Sequence, residues 1–229
     1  MTNTPTNLSK DKSLKYTDES VNTATHMVGA IFSLFGVLLL LTKSAQAGKW
    51  LHFTAFLIYG FSLIFLFVMS SLHHGVQGSE KTNRRLRTLD YVAVYGLILG
   101  TIVPICLIVF KGSLGYSVLF VAGLVTAFGI TMRSVYHNLP AYVSLTLYLC
   151  LGWLPALLFL IDNTANTSGL SYIIAGGLFY TFGSMVYGLE KPNILPRKFG
   201  FHEIWHIAVL LGALSHFLYM YFYVLPLDL

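Results

Sequence analysis

The chain has 229 residues, of which 55% are hydrophobic and only 10% charged, against roughly 25% charged in a soluble domain. This balance excludes a soluble globular enzyme, and two cysteines exclude a disulfide-stapled secreted scaffold. The net charge of +5 has to be read from where the charges sit, because long apolar runs fill almost the whole length.

The first stretch, MTNTPTNLSKDKSLKYTDES, is polar. It lacks an apolar core followed by a small-residue cleavage site, so it is not a cleavable signal peptide. Residues 1–22 read as a cytoplasmic tail, with an interfacial helix toward its end, and 23–229 as one membrane domain. A helix needs about 20 mostly apolar residues to cross the hydrocarbon layer. Seven segments meet that length: 24–43, 51–73, 90–110, 114–132, 140–161, 170–189 and 202–225. The expected fold is an all-α integral membrane protein, a bundle of seven transmembrane helices.

Lysine and arginine set the orientation. The tail and the loops after spans 2, 4 and 6 carry Lys10, Lys12, Lys15, Lys81, Arg84, Arg85, Arg87, Arg133, Lys191, Arg197 and Lys198. The opposite side carries only Lys43, Lys49 and Lys111. The N-terminus is therefore expected in the cytoplasm and the C-terminus outside. The basic loops face anionic headgroups, so membrane lipids are the partners and no nucleic acid is implied. A bacterial plasma membrane is the expected location. Nothing in the sequence sets an oligomeric state.

Within the spans, Pro104 and Pro155 are expected to kink helices. Gly96 and Gly100 form a G-x-x-x-G pair that signals close helix packing, as does Gly183 among small neighbours. Trp50, Trp153 and Trp205 read as lipid-facing, core or interfacial residues, and Cys106 and Cys150 as small packing residues.

Ionisable groups at membrane depth are costly and usually face the bundle interior. Here they converge. His26 opens span 1, His73 and His74 close span 2, Asp90 opens span 3, and His202 and His206 open span 7. In an up-down bundle these positions share one end, the cytoplasmic one. His202 and His206 are one helical turn apart and project from one side, as do Ser70 and His74. Two imidazoles from one helix and one from another make a three-histidine site, and a water completes the open tetrahedron of a catalytic zinc. Asp90 then holds that water or orients a ligand, and Ser70 hydrogen-bonds the water or a substrate carbonyl.

Residues 202–206 read H-E-I-W-H, which on its own is a zinc-protease pattern. That reading needs a third ligand. Beyond His206 there is no glutamate, and the one aspartate is Asp228 near the end. Position 209 is Val, where an extended protease motif has Gly. His216 lies ten residues past His206, about 15 Å along a helix. The third ligand must come from another span, and His74 is the natural donor. Glu203 sits about 100° round the helix from His202. As a first-turn glutamate it suits the helix dipole, a role preferred to that of general base. His52, His137 and His216 are not read as ligands.

The same residues carry a family resemblance. T-H-x-x-G at 25–29, S-S-L-H-H at 70–74, L-D-Y at 89–91, G-T-I-V-P at 100–104 and H-E-I-W-H at 202–206 resemble the hemolysin III family, bacterial members of the progestin and adiponectin receptor (PAQR) group. The resemblance covers the chain from about residue 20 and implies seven helices with a cytoplasmic N-terminus. It implies zinc, Zn2+, held by His74, His202 and His206, with Ser70 paired to His74 through S-x-x-x-H. His73 stands where relatives often carry an aromatic residue, which leaves a swap between His73 and His74 open. Asp90 matches the aspartate that contacts the metal-bound water. Glu203 stands where adiponectin-receptor-like relatives have Gln, which weakens a catalytic role for it. His26 matches a family histidine near the same face, where packing or polar support of the ligands is preferred to ligation.

The activity expected is zinc-dependent hydrolysis of a lipid amide or ester, as the ceramidase-like relatives imply. Zinc with three neutral imidazoles activates water, Asp90 takes its proton, and the apolar bundle holds the acyl chain. The alternative is a non-enzymatic sensor or regulator of membrane state with a structural zinc. A pore-forming hemolysin is disfavoured by the uncleaved multispan chain, which has no amphipathic pore segment.

Overall fold

The computed structural model describes residues 19–136, 139–162, 167–195 and 198–228. Lys10, Lys12 and Lys15 of the tail, with His137 and Arg197, lie outside the described residues. Among the described residues, eight α-helices and two π-helical turns make up seven spans. The α-helices are α1 (Glu19–Gln46), α2 (Trp50–Gly75), α3 (Glu80–Pro104), α4 (Ser113–Val135), α5 (Ala141–Gly152), α6 (Leu154–Ile161), α7 (Leu170–Leu189) and α8 (Phe201–Tyr219). Helices α5 and α6 together form the fifth span. Helix α1 packs on α2, α2 on α3, α3 on α4 and α7 on α8, and α8 closes back onto α1. Helix α5 packs on both α3 and α7.

Helix α1 shows how a membrane reverses the usual pattern. Its buried residues are Asn22, His26, Gly29, Ser33, Val37, Leu40 and Ser44, spaced three or four apart along one stripe. Its exposed residues include Met27, Val28, Ile31, Phe32, Phe35 and Leu38. Lipid is as apolar as leucine, so burying leucine against a neighbouring helix gains little. Small side chains are placed inward because they let the backbones approach, and polar ones because facing lipid is costly; Ser44 Oγ donates to Leu40 O at 2.7 Å.

Two helices start earlier than hydropathy places them. Helix α1 begins by Glu19, so part of the expected 1–22 tail is helical. Helix α3 begins at Glu80, and Asp90 therefore lies about 15 Å into the helix and does not open it. The reason is local. Ser79 caps α3 by accepting the Thr82 N–H at 3.2 Å, and Arg84 pairs with Glu80 at 2.7 Å. Caps and pairs one turn apart sustain a polar helix where no hydropathy window reports one.

The prolines act locally. After Pro104 the third span passes into a π-helical turn, Ile105–Val109, in which Phe110 N–H donates to Ile105 O at 3.0 Å. The fifth span breaks at Trp153, with Pro155 in the first turn of α6. Trp153 Nε1 donates across to Thr181 Oγ1 at 3.1 Å, which ties the break to α7. A second π turn, Met220–Val224, ends the last span. Its chain end is gathered by Lys49, whose ammonium donates to the carbonyls of Leu225, Pro226 and Leu227 at 3.2, 3.1 and 2.9 Å. Lys49 also bonds Asp228 at 2.9 Å, which holds that carboxyl below the usual carboxylate range. Lys111 donates to Asp228 O at 3.2 Å. Two of the three lysines at this end thus serve the C-terminal segment.

The G-x-x-x-G pair is split. A Cβ on Gly100 would lie 2.0 Å from Ser62 Oγ, whereas one on Gly96 would meet nothing within 4 Å. Only Gly100 marks close packing, so the expectation for Gly96 is corrected. A Cβ on Gly183 would meet Ala208 at 2.8 Å and Trp205 at 2.9 Å, as the sequence suggested. Cys106 is buried, whereas Cys150 faces outward and packs no core. Gly100→Ala should destabilise the bundle by about 1–3 kcal/mol, and Gly96→Ala should leave it unchanged or up to about 1 kcal/mol more stable. Thermal unfolding in detergent, followed by a thiol-reactive dye, checks both. Equal shifts in the two variants would contradict this packing.

Candidate metal centre

The site is built from the helix ends at one end of the bundle. Helix α8 starts directly after Gly200, whose N–H donates to Glu203 Oε2 at 2.7 Å. That bond satisfies a donor at the helix start, which has no intrahelical partner. It also gives Glu203 its place: the residue is buried, holds the first turn and does not line the cavity described below. His202 and His206 then leave α8 from adjacent turns on one side.

His74, near the end of α2, meets this pair. All three imidazoles are buried, and their ligand atoms lie within 4.8 Å of one another. Ring centroids are 4.9 Å apart for His74 and His202, 4.8 Å for His74 and His206, and 5.0 Å for His202 and His206. A tetrahedral ion with nitrogen bonds of about 2.0–2.1 Å asks for donors roughly 3.4 Å apart, so modest ring rotations suffice to close the set on one ion. A second group, His73, His74 and Asp90, also falls within 4.8 Å, with Asp90 half-buried. Of the two adjacent histidines, whose rings are 4.7 Å apart, His74 falls in both groups and His73 only in that with Asp90. Ser70 is buried one turn before His74 and lines the same cavity.

His26 stacks on His206 with centroids 3.8 Å apart and planes 22° from parallel. Its ring also stands edge-on to Phe67 at 5.1 Å. It belongs to neither metal-competent group. The other described histidines, His52 and His216, lie away from the cluster. His52 Nε2 is 3.2 Å from Val224 O at the opposite end, and His216 Nε2 is 3.4 Å from Ile173 O in mid-span.

One contributor escaped the sequence reading. The Glu19 carboxylate bonds Nδ1 of His74. A neutral imidazole that donates from Nδ1 keeps the lone pair of Nε2 for a ligand, and a carboxylate partner raises its basicity. Glu19 precedes His26 by seven residues, two helical turns, so it lies on the same stripe of α1. That periodicity was the available signal.

The cluster opens into a cavity inside the bundle. Its walls run from His74, Asp90 and His206 to Trp153, Gly177 and His216. His206 and His216 are ten residues apart on α8, so the cavity reaches about 15 Å along the bundle. Between these ends it is lined mostly by apolar side chains, among them Leu66, Val94, Leu97 and Val209.

Comparison with known proteins decides the family. The profile for haemolysin-III related proteins matches residues 14–217. The chain belongs to this family. It is 33% identical over 211 residues to Hemolysin-3 of Bacillus cereus, across 91% of this chain and 93% of that protein. It is 30% identical over 207 residues to a Hemolysin-3 homolog of Bacillus subtilis (strain 168), across 90% and 94%. It is also similar to the human monocyte to macrophage differentiation factor, 28% identical over 220 residues, across 92% and 87%. Family membership and the seven apolar helices make it a multi-pass membrane protein, and a bacterial plasma membrane fits.

Glu19→Gln keeps the shape of the side chain and removes its charge. It should weaken retention of a divalent ion at the three histidines by about 10–100-fold. Competition against a chromophoric chelator measures this, and unchanged retention would show that the carboxylate does not tune His74.

Proposed function

We propose that His74, His202 and His206 hold a zinc ion and that the protein hydrolyses a lipid amide or ester at the cytoplasmic end of the bundle. The observation that carries this is a buried three-imidazole cluster opening directly onto a mostly apolar cavity. Zinc held by three neutral imidazoles supplies Lewis acidity, which polarises a carbonyl and brings the pKa of water to about 7.

The chain's own residues have separate tasks. Glu19 keeps His74 in one tautomer, and His26 fixes the plane of His206 by stacking. Asp90 stands beside His73 and His74, where it takes the proton from the attacking water and passes it on. Ser70 offers a hydroxyl to the substrate carbonyl, and the apolar walls hold the acyl chain and exclude bulk water. In the overall reaction water adds to the carbonyl carbon and the C–N or C–O bond breaks. The released amine or alcohol takes a proton, and a fatty acid is left.

A second reading has its own support. The cluster ties α1, α2 and α8 together through the Glu19–His74 bond and the His26–His206 stack. A zinc there also serves as a clamp in a non-enzymatic sensor of membrane state. The two readings part at Asp90. Purified protein with one zinc per chain should release fatty acid from at least one member of a broad panel of lipid amides and esters. Asp90→Ala should lower that rate by about 100-fold or more while keeping its zinc. A zinc-loaded protein that cleaves nothing, with Asp90→Ala silent in every assay, would leave the clamp. Metal analysis of H74A, H202A and H206A should show loss of the ion, with H73A retaining it.

A further inference from the structure

Arg133 lies in the last turn of α4 and is 7% exposed. Arginine is rarely buried without an anionic partner, because taking its charge out of water costs several kcal/mol. Among the described residues no carboxylate forms an ion pair with it. One guanidinium nitrogen donates to Leu139 O at 3.3 Å, and the guanidinium carbon sits 3.8 Å above the Tyr91 ring. These contacts fix the plane of the fork and use one of its five N–H donors.

The fork lines the same cavity as Asp90, His73 and His74. Its supporting ring leads to the cluster: Tyr91 Oη lies 3.4 Å from Tyr187 Oη, and the Tyr187 ring is 5.4 Å from His202. A positive, preorientated fork thus stands with Asp90 at the histidine end of a cavity whose remaining lining is mostly apolar. An oxyanion matches it, because phosphate takes two parallel N–H bonds from a guanidinium. The cavity's histidine end is also the end where the basic loops gather, and that side of a bacterial membrane presents phosphate-bearing lipids.

We propose that the cavity takes an anionic glycerophospholipid, with Arg133 binding the headgroup phosphate while the acyl ester lies toward the histidines. This deepens the lipid-hydrolase reading and rests on its use of the cavity. Arg133 is a specificity-determining residue in it.

The test is binding, so that it stands apart from turnover. Delipidated protein in detergent is titrated with dioleoylphosphatidylglycerol or with uncharged dioleoylglycerol, and bound lipid is counted by native mass spectrometry. The wild type should prefer the phosphate lipid by about tenfold or more, the range of a charge-assisted bond. Arg133→Gln should bring the two lipids within about twofold. Arg133→Lys, which keeps the charge and loses the fork, should lose several-fold. A K81Q/R84Q/R85Q variant of the exposed helix end should keep the preference. The proposal is overturned by a wild type without preference, by full preference in R133Q or R133K, or by a preference abolished in the triple variant. The wild-type and R133K results decide it even if R133Q fails to fold. Selective binding without cleavage of either lipid, or of any member of the amide and ester panel, would leave this proposal standing and remove the hydrolase reading.

Discussion

Hydrocarbon offers no hydrogen bonds, so polar side chains at membrane depth are turned away from lipid into the protein interior. That constraint organises this bundle. Helix α1 turns its asparagine, histidine, serines and glycine inward and its phenylalanines outward. Helix α2 does the same at its end with Ser70, His73 and His74, all buried. Helix α8 opens with two histidines and a glutamate, also buried. Once these faces pack together, three imidazoles come within reach of one ion, and the cluster forms part of what holds the helices in register.

The packing also explains why the cavity lies beside the cluster. Span 5 is interrupted at Trp153, and Trp153 is anchored to Thr181 on α7. Gly177, one turn before Thr181, sits with its Cβ position 3.1 Å from the Trp153 ring. The space behind these residues is not filled by a long side chain, so an apolar volume remains between α3, α5, α7 and α8. Arg133 and Asp90 stand at its polar end. The arrangement suits an amphiphile: an apolar body inward and a polar group beside the histidines.

Much of this was legible in the residues. Seven spans follow from hydropathy, and the one-turn spacing of His202 and His206 placed them on one helix side before any coordinates. The convergence of His26, His74, Asp90 and His206 followed from up-down topology alone. What was not legible has physical causes. The polar start of α3 is held by a cap and an ion pair and that of α1 by the Glu19–His74 bond, which hydropathy does not register, so Asp90 is expected at a helix start when it lies three turns in. Glu19 was read as tail for the same reason. Whether His73 or His74 joins the α8 pair depends on helix rotation, which sequence spacing leaves open. Gly96 and Gly100 look alike in sequence, and only the neighbouring α2 distinguishes them.

The central claim is that three imidazoles share one zinc ion. X-ray absorption at the zinc edge of the purified, zinc-loaded protein tests it most directly. The account predicts nitrogen and oxygen neighbours at about 2.0–2.1 Å, without sulfur. It also predicts the outer-shell scattering of three imidazole rings, falling to two in His206→Ala. A spectrum with fewer than three rings in the wild type, or one unchanged by His206→Ala, would contradict it.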